Sequence, residues 1–180
     1  HSIEESDFYA FFGSLDLVKQ TIWVKFFENA VATIEKEASY ESYSDKNKLL
    51  TLYFTLFEIL TLNRSYVLFS LKENKEGLKN LKNLKEFRKN FKEYIVDKVK
   101  SSPTEPFGKV AKVTEPVFSE GAWLQFLFLL KFWMDDTSKG FEKTDVLIEK
   151  SVNTVVDLLD TKPLESLFDL GKFLWKEKMQ

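Results

Sequence analysis

Few side chains in this sequence are equipped for covalent or acid/base chemistry. Cys is absent and the single His is His1. Thiolate nucleophiles, Ser-His-Asp triads and Cys/His zinc sites therefore lack their material. Asp135 and Asp136 are adjacent at the end of an apolar run. With no His or third carboxylate at ligand spacing, they belong to a turn near a helix end and not to a metal site or an acid/base pair. No glycine-rich phosphate loop, Gly-x-Ser-x-Gly elbow or His-Glu-x-x-His motif occurs. Catalysis, a cofactor and a metal site are not expected.

What the residues do offer is binding. The 18 Phe, 6 Tyr and 4 Trp are a heavy aromatic load for the length. Trp23, Phe27, Tyr53, Phe57, Tyr66, Phe91, Tyr94, Trp123 and Phe126 have two readings: ordinary core, or the walls of an apolar pocket between helices. Each ring alone reads as core, whereas so many rings together pack with gaps more readily than Leu and Val, so some are expected to line a cavity. Such a pocket suits a greasy or flat ligand. Arg64, a lone charge between two apolar segments, is the candidate for a ligand's anionic group; the alternative is a solvated Arg at a helix end.

The elements that carry these residues read as all-α. Apolar residues recur at helical spacing, and no alternating strand pattern bounded by hairpin turns appears. Ser14 can cap a helix running to about residue 38, and Ser44 another, in which Leu49, Leu52, Tyr53, Leu56, Phe57 and Leu60 cover nearly every side. A helix apolar all round must be central. Asn63, Arg64 and Ser65 break the pattern before a short helix at 66–71. Leu78, Leu81, Leu84, Phe87, Phe91, Tyr94, Ile95 and Val99 form one stripe of a long amphipathic helix. Residues 101–119, with Pro103, Pro106, Gly108 and Pro116, read as the one clear loop, either a lid or a connector. Helices at 121–136, 141–160 and 164–178 follow, for about seven in one bundle.

Net charge is −2, which is not the balance of a free-standing nucleic-acid binder. Residues 72–100 are basic, and Lys79, Lys82, Lys85, Arg88, Lys89 and Lys92 share one face that is either solvated or turned to an anionic surface. The apolar run at 122–134 is shorter than the roughly 20 residues of a membrane span. With no signal peptide visible, a soluble cytoplasmic protein is expected.

The segment Glu5-Ser-Asp-Phe-Tyr-Ala-Phe-Phe-Gly-Ser-Leu-Asp-Leu-Val18 resembles the end of the DNA-binding domain of TetR-family regulators. There a recognition helix closes on aromatic residues, and a Gly-Ser turn opens the regulatory domain. Phe8, Tyr9, Phe12, Gly13 and Ser14 stand in those positions, and Gly13 is expected to take the left-handed conformation that ends a helix. The resemblance implies a TetR-like bundle with residues 1–13 as a remnant of the helix-turn-helix head, including Ser6, Phe8 and Tyr9, and residues 14–180 as a ligand-binding and dimerisation domain. It implies an apolar effector, DNA contact only through a complete N-terminal head absent here, and a homodimer. Trp133, Val152, Val155, Val156 and Leu159 are the expected dimer face.

Two departures stand against DNA binding. The family's usual Lys after the Ser is Leu15 here, and Glu4, Glu5 and Asp7 would repel phosphates. Residues 132–144 are also similar to the helix junction of the TetR-like lipid-binding proteins of ubiquinone biosynthesis. This keeps open an alternative in which a TetR-fold accessory protein binds lipid or isoprenoid, with an amphipathic helix at 164–175 meeting membranes.

Overall fold

The computed structural model describes residues 4–72, 79–99 and 106–159. Among them are seven α-helices and no strand, as the periodicity requires. The expected C-terminal helix at 164–178 lies outside the described residues.

The first helix, α1 (Glu5–Phe11), buries none of its side chains. Phe8 packs on Tyr9 and Phe12 at ring-centre distances of 5.2 and 5.9 Å, and goes no deeper. Gly13 does not take the expected left-handed conformation: α1 ends through an extended Phe12. Ser14 behaves as read, its Oγ accepting from the Leu17 amide at 3.2 Å to open α2 (Leu15–Ile34). That helix stops four residues short of the expected end. Ser44 caps α3 (Asp45–Leu62) in the same way, accepting from the Asn47 amide at 3.3 Å. Each such cap contributes on the order of 1 kcal/mol.

Asn63 ends α3 by folding its side-chain amide back onto the Ile59 carbonyl at 2.8 Å, and α4 (Arg64–Lys72) leaves in a new direction. The long amphipathic stripe is real but is not one α-helix. It passes from a 3-10 segment, Lys79–Leu84, through α5 (Lys85–Tyr94), to a π-helical turn, Ile95–Val99. Leu84, Phe87, Phe91, Tyr94, Ile95 and Val99 all remain buried through these changes of pitch.

The expected loop at 101–119 is corrected by α6 (Pro106–Asp135), thirty residues long. Pro106 opens this helix, where a missing N–H breaks no bond. Pro116 is the one interior proline and removes a single backbone hydrogen bond. After a 3-10 turn, Lys139–Phe141, α7 (Glu142–Leu159) completes the bundle.

Packing follows from which faces are apolar. α2 lies against α3 and α5, α5 against α6, and α7 across both α3 and α6. α3 is therefore central, with Leu49, Leu52, Tyr53, Leu56, Phe57 and Leu60 buried.

Candidate functional site

The aromatic residues singled out from sequence converge where α2, α3, α5 and α6 meet. Trp23, Phe27, Tyr53, Phe57, Phe91, Tyr94, Trp123 and Phe126 are all buried. Phe91 stands at the centre, 6.2 Å from Phe27, 6.3 Å from Tyr53, 5.8 Å from Trp123 and 5.6 Å from Phe126 between ring centres. Tyr53 stacks on Phe91, and the other three rings meet it edge-on or tilted, all arrangements that aromatic quadrupoles accept. Tyr66 is half-buried and reaches the cluster through Phe26.

Polar atoms within this centre have specific fates. The Tyr53 hydroxyl lies 2.9 Å from the Ala122 carbonyl and 3.2 Å from Gln125 Oε1. Gln125 Nε2 in turn donates to Ser151 Oγ at 3.0 Å, and Ser151 to the Ile148 carbonyl at 3.1 Å. A polar thread thus runs from α3 through α6 to α7. Burial pushes the Tyr53 phenol far above its usual range, so it stays a neutral donor. The Tyr94 hydroxyl donates to that of Tyr40 at 2.7 Å. Trp23 Nε1 is buried without a hydrogen-bond partner, an arrangement that costs desolvation without return.

Arg64 neither stands free to meet a ligand's anion nor is simply a solvated Arg at a helix end, the two expectations from sequence. Its Nη1 donates to the Trp133 carbonyl at 2.8 Å, and its Nη2 to those of Met134 and Asp136 at 3.2 and 3.3 Å. It satisfies the carbonyls that the C-terminus of α6 leaves open. The guanidinium carbon lies 4.4 Å from the ring centres of both Trp133 and Phe141, a double cation–π contact. The signal for this partnership lies 69 to 72 residues downstream, beyond the reach of local pattern.

Beside this junction the chain turns from α6 into α7. Asp136 is buried, and its Oδ2 accepts from the Thr144 amide and hydroxyl at 3.0 and 2.7 Å. Its Oδ1 accepts from the Ser138 amide and hydroxyl at 2.8 and 2.7 Å. Burial alone would raise this carboxyl, but the four donors outweigh it and hold it down at about 2. Asp136 is thus a structural residue of a turn, as its place in the sequence suggested. Gly140 and Phe141 both adopt positive φ, at 62° and 61°. For a bulky residue like Phe141 this is a strained conformation, and its ring is held by Arg64 and by Trp133, 6.0 Å away.

Between α3 and the start of α7 lies a half-open cleft of about 290 Å³, whose walls include Phe54, Phe57, Trp133 and Phe141. Glu58 and Asp145 also line it. Burial, then the neighbouring Asp136 charge, hold the Asp145 carboxyl above its ordinary value. The sequence reading missed this cleft because its two carboxylates come from helices far apart in the chain.

The expected dimer residues divide. Trp133 and Val152 are wholly inside one protomer, so neither ring nor isopropyl group is available to a second copy. Val155 and Val156 are half-buried against the core, and the Leu159 side chain lies outside the described residues. Exposed apolar side chains occur on several helices, and three of them lie on α6: Leu124 is 63% exposed, Phe128 55% and Phe132 38%. Their spacing of four places them in one row. On the basic face, Lys82 pairs with Asp16 at 2.6 Å, and Arg88 and Lys92 both pair with Glu120. Half of that face is thereby matched by acid within the fold.

Among the described residues no group of His, Cys, Asp and Glu is placed to hold a metal ion, and no helix is long and apolar enough to cross a membrane. A family model described as tetracyclin repressor-like, C-terminal domain, matches residues 48–174. No curated protein matches the chain, and no solved structure does.

Proposed function

The chain belongs to the tetracyclin repressor-like C-terminal domain family, and from that membership we propose that it is the regulatory part of a transcriptional regulator switched by a small molecule. The carrying observation is the family match, which extends from α3 through α7 and takes in most of the aromatic centre. An effector entering among the helices shifts their packing, and the shift is passed to DNA-reading heads that precede α2. Residues 4–13 would be the end of such a head, with Ser6, Phe8 and Tyr9 on its last helix. The mechanism is linkage: the effector must bind two helix arrangements unequally, or nothing is switched.

Self-association fits the same reading. A homodimer formed through the α6 and α7 layer would cover Leu124, Phe128 and Phe132, which otherwise leave an apolar row in water. Val155 and Val156 would lie near its edge. The reading involves no catalysis.

The decisive experiment is DNA binding by the full-length protein at low salt, measured with and without candidate effectors. Specific binding that an effector weakens or strengthens supports the regulator. Absence of DNA binding under every condition overturns it.

A further inference from the structure

The effector reading leaves the ligand's chemistry open, and the cleft between α3 and α7 narrows it. Its floor is formed by Phe57 and Trp133, both buried, and its rim by Phe54 and Phe141. An all-aromatic wall would suit any flat apolar molecule. Glu58 and Asp145, however, line the same space, and neither is paired with a cation among the described residues. Both carboxylates are exposed at the mouth of the cleft, so a neutral ligand gains no charge pairing from them and an anion would be repelled.

Arg64 touches two of the four rings but does not neutralise the site. Its Nη atoms are committed to the carbonyls ending α6. Glu58 and Asp145 are the two charged side chains that line the cleft itself. Among the described residues Phe54 carries no cation and is 38% exposed, so its face remains for a ligand, while Phe57, packed on Phe126 and Trp133, closes the cleft beneath it.

We propose that this cleft is a binding site for a small organic cation, an aromatic or alkyl ammonium whose charge lies between Glu58 and Asp145 and whose apolar body rests on Phe54 and Phe57. Aromatic faces attract ammonium groups through the ring quadrupole, and the two carboxylates supply the charge complement. The volume of about 290 Å³ sits at the lower end of ligand pockets and fits one small molecule. The proposal supplies the ligand class for the effector-switched reading, on which it rests for its biological meaning.

The test is a ligand-observed NMR titration of the whole chain with three probes of similar shape. These are phenyltrimethylammonium, its neutral isostere tert-butylbenzene, and benzenesulfonate. Saturable binding of the ammonium alone is expected, weakened at least tenfold in the double variant Glu58→Gln/Asp145→Asn. Glu58→Gln alone, on an exposed helix position, serves in its place if the double variant melts below the parent protein. Equal binding of the neutral isostere, unchanged affinity in the carboxylate variants, or no saturable ammonium binding would each overturn the proposal.

The two readings fail separately. An apolar compound that switches DNA affinity regardless of Glu58 and Asp145 would leave the regulator standing without a cation site. An ammonium that binds the cleft and leaves DNA affinity unchanged would do the reverse.

Discussion

Arg64 is where one side chain does most to join separate helices. Its planar fork reaches three carbonyls while its face stacks on two rings, and Lys can reproduce neither geometry. Arg64→Lys should therefore cost about 2 kcal/mol in urea denaturation, the scale of charged hydrogen bonds lost from buried acceptors. Asp136 makes a prediction in pH. Its folded value near 2 lies below the unfolded carboxylate at roughly 3.9. Its stabilisation is thus fully present above about pH 4 and is lost as pH falls towards 2. Asp136→Asn should melt well below the parent protein at pH 7, and the gap should narrow below pH 4. Two glycines offer a contrast of sign. Gly140 has φ of 62° with open space where a Cβ would go, so Gly140→Ala should destabilise by about 1–2 kcal/mol through backbone strain alone. Gly121, within α6 and equally uncrowded, should gain about 0.5–1 kcal/mol as Ala. Thermal melts of both variants, run side by side, check the pair.

At the scale of the element, what was legible in the sequence was whatever local chemistry decides. Ser14 and Ser44 cap the helices they were expected to cap, because a side-chain oxygen three residues before an amide needs no distant partner. Ser44→Ala should accordingly lose about 1 kcal/mol, read from the urea midpoint. The apolar ring around α3 announced its central place, and the aromatic residues gathered as their helical spacing implied. Errors arose where one local signal was weighed without the contacts opposing it. Three prolines and a glycine between residues 101 and 119 suggested a loop, yet Pro106 merely opens α6 and the helix continues through Pro116. The stripe from Leu81 to Val99 gave the buried face correctly, but the changes to 3-10 and π pitch leave no trace in periodicity. Trp133 and Val152 looked like surface for a partner because apolar patterning alone does not distinguish a core face from an interface. Their burial is set by α3, which α7 crosses. The cleft was invisible for the same reason, since Glu58 and Asp145 become neighbours only once that crossing exists.

The assembly as a whole is tested through the row on α6. Replacing Phe128 by Glu, at a position 55% exposed, should leave the protomer fold intact and shift the protein to a monomer in light scattering. A dimer that persists would place the interface elsewhere. The molecule also has an order of completion built into its hydrogen bonds. Arg64, Tyr53 and Thr61 in the first half find partners at Trp133, Ala122 and Trp133 in turn, each about seventy residues later. During synthesis α3 and the start of α4 therefore leave the ribosome with the helix that closes them still unmade. A chain halted before α6 would leave Phe57, Phe87 and Phe91 without their partners Trp123, Phe126 and Trp133, and should be degraded by protease far faster than the finished protein. Until α6 emerges, the nascent first half should engage chaperones, and faster translation of the remainder should shorten that exposure.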